Sequence, residues 1–94
     1  MLLQEPHDEF LQYAIAMEYF SAGEIHKAIT GLQKILAQNK NYLAAYYQLG
    51  KCFEAQNKIT EAKSIYEQGV IVAKEQKQQK TLNELNEAIF LLED

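Results

Sequence analysis

A chain of 94 residues allows one small domain, which buries only a modest fraction of its surface and is therefore marginally stable. The formal net charge is −4 and all nine basic residues are lysine, which speaks against nucleic-acid binding, where arginine is favoured for base and phosphate contacts. One proline, Pro6, and four glycines among abundant apolar residues suit a folded, mostly helical protein rather than a disordered one.

No apolar run approaches the roughly 20 residues of a membrane span. The start MLLQEPHDEF lacks the basic residues and long apolar stretch of a secretory signal, so a cytoplasmic location is expected. Cys52 is the single cysteine, which excludes an internal disulfide; among apolar helix residues it reads as a small buried hydrophobe. Charge is uneven: residues 1–26 and 81–94 carry acids and no lysine, and the lysines all lie between. Acidic ends around a basic middle fit head-to-tail contact between copies, and they equally fit a solvated surface.

The first predicted helix covers residues 8–21. Leu11, Ile15 and Tyr19 form a stripe expected to face its hairpin partner, and Phe10, Tyr13, Met17 and Phe20 form a second stripe on the other side. A helix apolar on both sides is normally buried on both. Gly23 then supplies the left-handed backbone that ends a helix. The second helix, 24–37, places Ile25, Ala28, Ile29, Leu32, Ile35 and Leu36 on one face. The third, 42–55, has Gly50 in its interior, and Asn57 follows it as a second left-handed candidate.

The fourth helix, 58–75, aligns Ile59, Ala62, Ile65, Tyr66, Gly69, Val70 and Ala73. Beyond it VIVAKEQKQQKT holds neither glycine nor proline, so the helix either runs on or breaks before Thr81. Thr81 and Glu84 fit a capping box that starts a closing helix at 80–93, with Leu82, Leu85, Ala88, Ile89 and Leu92 on one face. Phe90 points away from that face, as a frayed end or as a contact to another subunit.

Sliding the sequence by 34 residues superimposes Ile15 on Leu49, Ala16 on Gly50, Tyr19 on Phe53, Gly23 on Asn57, Ala28 on Ala62 and Leu32 on Tyr66. Each unit is a helix, a tight turn and a second helix. This pattern resembles the tetratricopeptide repeat family, whose signature is W-x2-L-G-x2-Y, then A-x3-F, then P. The second unit shows Tyr46-x2-Leu49-Gly50-x2-Phe53 and Ala62-x3-Tyr66; the first shows Gln12-x2-Ile15-Ala16-x2-Tyr19 and Ala28-x3-Leu32. Lys40 and Lys74 stand where the family has proline, and Gln12 where it has tryptophan. The segment HDEFLQYAIAMEY is similar to the opening of short bacterial two-repeat members.

The resemblance implies an all-α solenoid in a single domain over 1–94: repeat one at 9–42, repeat two at 43–76, and the closing helix. A glycine inside a helix costs about 1 kcal/mol relative to alanine. Gly50 and Gly69 are expected to repay that by letting the facing helix pass close, with Tyr46, Phe53 and Tyr66 filling the space beside them.

The resemblance also implies a non-catalytic interaction module. In the family the first helix of each pair lines the concave face, and the matching positions here are Phe10, Tyr13, Met17, Phe20, Tyr47, Lys51, Leu85 and Ile89. Two readings fit this set: part of it is ordinary core, or it is an open groove for an apolar helix or peptide. The family's chaperone-binding members hold a C-terminal carboxylate with lysine and asparagine at groove positions; Tyr13, Met17 and Tyr47 occupy those places, so that clamp is not expected. With only two repeats, the rival expectation is a structural self-assembly unit whose inner face is filled by a second copy, as a dimer or swapped dimer.

No catalytic, metal or cofactor residues are expected. His7 and His26 stand in different segments, and neither lies four residues from another ligand type. H-E-x-x-H, C-x-x-C and glycine-rich phosphate motifs are absent from the sequence. The partner is expected to be a protein or peptide, with no nucleic acid, no membrane, and a second copy of the chain as a candidate.

Overall fold

The computed structural model describes residues 8–93. His7, considered above as a ligand, lies outside them. Five helices follow one another: α1 (Glu9–Ser21), α2 (Ile25–Gln38), α3 (Leu43–Ala55), α4 (Ile59–Gln76) and α5 (Gln79–Leu92). Each packs against the next, as in an all-α solenoid of two hairpins and a closing helix, with overall extents of 45 × 30 × 19 Å.

The same device turns both hairpins. Gly23 has φ +82° and Asn57 φ +63°, the left-handed region open to glycine and tolerated by asparagine. Glu24 N–H donates to the Tyr19 carbonyl at 2.8 Å, and Lys58 N–H to the Phe53 carbonyl at 2.8 Å. Gly23 N–H reaches Phe20 at 3.1 Å and Asn57 N–H reaches Glu54 at 2.8 Å. These paired bonds satisfy the last carbonyls of α1 and α3 in the Schellman pattern. At the other end of α1, Asp8 caps the helix by accepting from Leu11 N–H at 3.0 Å.

The expected capping box is not what starts α5. The chain breaks at Lys77, whose φ of +57° is left-handed, and Gln78 N–H closes back on the Ala73 carbonyl at 3.0 Å. The helix then begins at Gln79, so Thr81 is already inside its first turn, and no side chain caps it. A third Schellman-type stop, built on a lysine, fixes the boundary before Thr81 is reached.

The core has two parts. Ala16, Ala28, Ile29, Leu32, Ile35, Ala45, Leu49 and Cys52 form one, and Ala62, Tyr66, Ala73, Leu85 and Ala88 the other; Phe53 and Ile65 pack against both. Gly50 and Gly69 are the close-approach points. A Cβ on Gly50 would collide with the Tyr66 ring, and one on Gly69 would lie 2.8 Å from Tyr46 Cβ and 3.2 Å from Leu85 Cδ1. Two of the large neighbours are buried with their hydroxyls satisfied. Tyr66 donates to Glu54 Oε2 at 2.5 Å, and Tyr46 donates to the carbonyl of Lys40 at 2.6 Å. Cys52 is fully buried, which pushes its thiol up to about 11.

Candidate functional site

The two stripes of α1 are buried to different degrees. Ile15 is 46% exposed and Tyr19 37%, whereas Tyr13, Met17 and Phe20 are half-buried against the first core cluster. The seam with α2 runs through Ala16, the one fully buried residue of α1. Tyr13, Met17 and Phe20 flank that seam on the side where α3 packs. Leu11 is half-buried, and Ile15 and Tyr19, though exposed, line a small cleft against Gly31 and Lys34 of α2, where Lys27 Nζ lies 5.5 Å over the Tyr19 ring. Phe10, at 75% exposure, remains open to solvent.

Tyr13 and Tyr42 meet with ring centroids 5.7 Å apart, tying α1 to the start of α3. Burial raises the pKa of both hydroxyls, and for Tyr42 the nearby carboxylates of Glu9 and Asp8 add to the effect. Further along α3, the Tyr47 ring lies 6.1 Å from that of Tyr66, and Lys51 Nζ sits 5.3 Å above Tyr47. Lys51 also reaches Glu54 Oε2 at 3.9 Å, the carboxylate that accepts the Tyr66 hydroxyl. Lysine, aromatic ring and carboxylate thus form one partly exposed polar cluster. The cation lies over the ring face in a cation–π contact.

Leu85 does not belong to this face. It is fully buried beneath α4, in contact with Gly69, and Ile89 is half-buried against the same cluster. The reason is register. Gln79 starts α5 36 residues after Leu43 starts α3, not 34. Leu49 and Cys52 of α3 therefore correspond to Leu85 and Ala88 of α5, and all four are buried. The residues that continue the Tyr47–Lys51 row onto α5 are Asn83 and Glu87, with Phe90 next at 73% exposure. Phe90's offset from the apolar face of α5 was the available signal for this.

Sequence reasoning also missed a cleft on the opposite side. Between α2 and α4, above α3, lies an open depression of about 720 Å³. Leu36, Leu49, Phe53 and Ile65 give it an apolar floor, and Lys40 and Glu61 stand on its rim. These apolar residues fit the helix periodicity as core, and periodicity does not distinguish a floor from an interior. His26 is exposed, with its nearest polar neighbour, Gln56, at 3.4 Å. Among the described residues, no helix is long and apolar enough to cross a membrane, and no three His, Cys, Asp or Glu side chains gather at metal-binding distance.

Comparison with known proteins bears on this geometry. The family described as tetratricopeptide repeat matches residues 19–85. A TPR repeat-containing protein of Pseudomonas aeruginosa is 29% identical over 73 residues, which are 78% of this chain and 70% of that one. The solution structure of a tetratricopeptide repeat domain protein from Salinibacter ruber superimposes with a TM-score of 0.90 at 32% identity, covering 96% of this chain and 91% of that chain. A protein from Bordetella parapertussis, at 24% identity, shares the fold with a TM-score of 0.85 over 98% of this chain and 80% of its own.

Proposed function

The chain belongs to the tetratricopeptide repeat family, whose fold generally mediates protein–protein interaction without catalysis, and from this we propose that it is a cytoplasmic binding module for a helix or extended peptide. In this reading residues 9–42 and 43–76 are the two repeats of one domain and α5 is its closing helix. The ligand lies across the first helices of the pairs. Phe10, Tyr13, Met17 and Phe20 meet it on α1, Tyr47 and Lys51 on α3, and Phe90 with the edge of Ile89 on α5.

The observation that carries this is the set of aromatic side chains on the alternate helices α1, α3 and α5. Phe10 is 75% exposed at one end and Phe90 73% exposed at the other, with half-buried rings between them. Large apolar groups left in water mark candidate contact surfaces. Lys51 over Tyr47 adds a cation for an acidic position of the ligand.

A second reading is self-association through the outer side of α4 and α5, favoured by the exposure of Ile71 at 60% and Leu91 at 63%. Crosslinking affinity capture from the native cell separates the alternatives. Compare the wild-type chain with Phe10→Ala/Phe20→Ala and with Ile65→Asp, which alters the α2–α4 cleft. A partner lost only with the phenylalanine pair supports the proposed face. A partner lost only with Ile65→Asp moves the site to the cleft. A dimeric mass by light scattering that Ile71→Asp/Leu91→Asp abolishes supports self-association.

A further inference from the structure

The cleft between α2 and α4 lies outside the face assigned to a partner above. Tyr46, Leu49 and Phe53 turn one side of α3 toward it, at i, i+3 and i+7, whereas Tyr47 and Lys51 lie on another side of that helix. Leu49 is 1% exposed and closes the floor. Leu36, Phe53 and Ile65 are half-buried and leave apolar surface open to the cleft. The walls above them are polar and exposed, with Gln33 on α2 and Ser64 and Gln68 on α4.

The two ends of the cleft carry opposite charge. Lys40 stands at one end, where its backbone carbonyl accepts from the Tyr46 hydroxyl at 2.6 Å. Glu61 stands at the other, in the first turn of α4, just past the turn that closes on Phe53. Both side chains are exposed, and among the described residues neither is in an ion pair. The charges around the lining residues balance. Lys34 adjoins Gln33 and Glu67 adjoins Gln68; Lys58 precedes Glu61 by three residues, and Glu75 is close enough to Tyr46 to raise its pKa. Glu54 and Lys63, next to Phe53 and Ser64, are held in ion pairs with Lys51 and Glu93. None of these six lines the cleft, so Lys40 and Glu61 set its charge.

We propose that this cleft is a second docking site, and that its occupant is an amphipathic helix of a partner protein. Three apolar side chains of that helix, at i, i+4 and i+7, lie over Leu36, Phe53 and Ile65, with an acidic residue at the Lys40 end and a basic residue at the Glu61 end. The length fits: Tyr46 to Phe53 spans seven residues of α3, about 10 Å, which is the rise from i to i+7 in the occupant. The charges decide the class of occupant. An acyl chain would leave Glu61 against apolar groups, and a uniformly charged peptide would satisfy one end and be repelled at the other. A helix with opposite charges at its two ends satisfies both, and acid at the N-terminus with base at the C-terminus is the distribution a helix itself favours. The site does not depend on the face of α1, α3 and α5, and the two can be filled together.

The test titrates the isotope-labelled full chain with a synthetic helical peptide that carries leucine at i, i+4 and i+7, glutamate before that stripe and lysine after it. Amide shifts are expected to move at Leu36, Phe53, Ile65 and Gln68 and to stay in place at Tyr47 and Lys51. Lys40→Glu and Glu61→Lys, both at exposed side chains, should each weaken the peptide by roughly three- to tenfold. The double exchange Lys40→Glu/Glu61→Lys should recover most of the loss, because the peptide then satisfies both ends in the reverse direction. Single exchanges that bind as tightly as the wild-type chain overturn the proposal, as does a double exchange that merely adds their losses. So do shifts confined to the Tyr47 and Lys51 side, or none with millimolar peptide. These results leave the face of α1, α3 and α5 standing, because no variant in the series alters it.

Discussion

The two hairpins share a turn and a register but fill their seams differently. In α3–α4 a glycine on the first helix, Gly50, lies directly beneath the Tyr66 ring, and Gly69 on the second passes close to Tyr46. In α1–α2 the first helix carries Ala16, and the glycine has moved to the second helix as Gly31. Where α4 offers Ile65 and Tyr66, α2 offers Gly31 and Leu32. At these two positions the first seam carries the smaller side chains, and a cleft of about 120 Å³ lies beside Ile15. The fold tolerates this because a core needs volume filled in the right layer more than it needs a particular residue. The second hairpin is locked by shape and the first is not.

The largest expected effect strikes that lock. Gly50→Leu forces a side chain into the Tyr66 ring and should destabilise by about 3 kcal/mol, the upper part of the range for overpacking. Gly50→Ala is the sharper probe, since the collision begins at Cβ. Combining it with Tyr66→Leu, which recreates the first hairpin's pairing of Ala16 with Leu32, should recover part of the loss. A coupling of about 0.5–3 kcal/mol in urea unfolding is expected for residues in direct contact. Additive losses would mean that Gly50 and Tyr66 do not constrain one another.

The next effect concerns the polar anchor that only the second hairpin has. Tyr66→Phe removes the hydroxyl that donates to Glu54 and should lower stability by about 1–2 kcal/mol at neutral pH, read from the urea midpoint. Burial first, then the hydrogen bond and charge of Glu54, raise the Tyr66 pKa above its ordinary 10.0, and burial alone raises Cys52 from 9.0 to about 11. Both groups are neutral when folded at a pH where the unfolded chain ionises them. Their contribution is complete below the unfolded values and is lost as pH rises through the folded ones. Stability should hold up to roughly pH 8 and decline from about pH 9 upward, less steeply in Tyr66→Phe. An alkaline limb identical in the variant would remove Tyr66 from this account.

The repeat made most of the fold legible. Each apolar residue of one hairpin vouches for its counterpart in the other, and Gly23 and Asn57 mark the same turn in both. Legibility failed where the period failed. Lys77 stops α4 without a glycine or proline to announce it: its backbone is left-handed, which lysine does not favour, and Gln78 N–H closes back on the Ala73 carbonyl. The two-residue shift that follows put Leu85 in the core, left Ile89 half-buried beside it and Phe90 outside. On α1, both stripes were visible as apolar, but which of them meets α2 depended on Ala16, a residue too small to weigh in a periodicity. The half-buried state of Tyr13, Met17 and Phe20 combines the two readings that the sequence left open.

The smallest effect has the opposite sign and tests the looser seam. Gly31 lies inside α2 with ordinary helical backbone, and a Cβ there would sit 3.4 Å from Ala16 Cβ, a normal contact distance. Nothing in that seam has to move to admit a methyl group, so the helix-propensity term decides the outcome. Gly31→Ala should therefore stabilise the chain by roughly 0.5–1 kcal/mol, seen as a rise in Tm of several degrees. Gly50→Ala, the same chemical change in the neighbouring hairpin, goes the other way. If both substitutions destabilise, the first seam is as tightly filled as the second, and the cleft beside Ile15 is not the spare volume that separates the two hairpins.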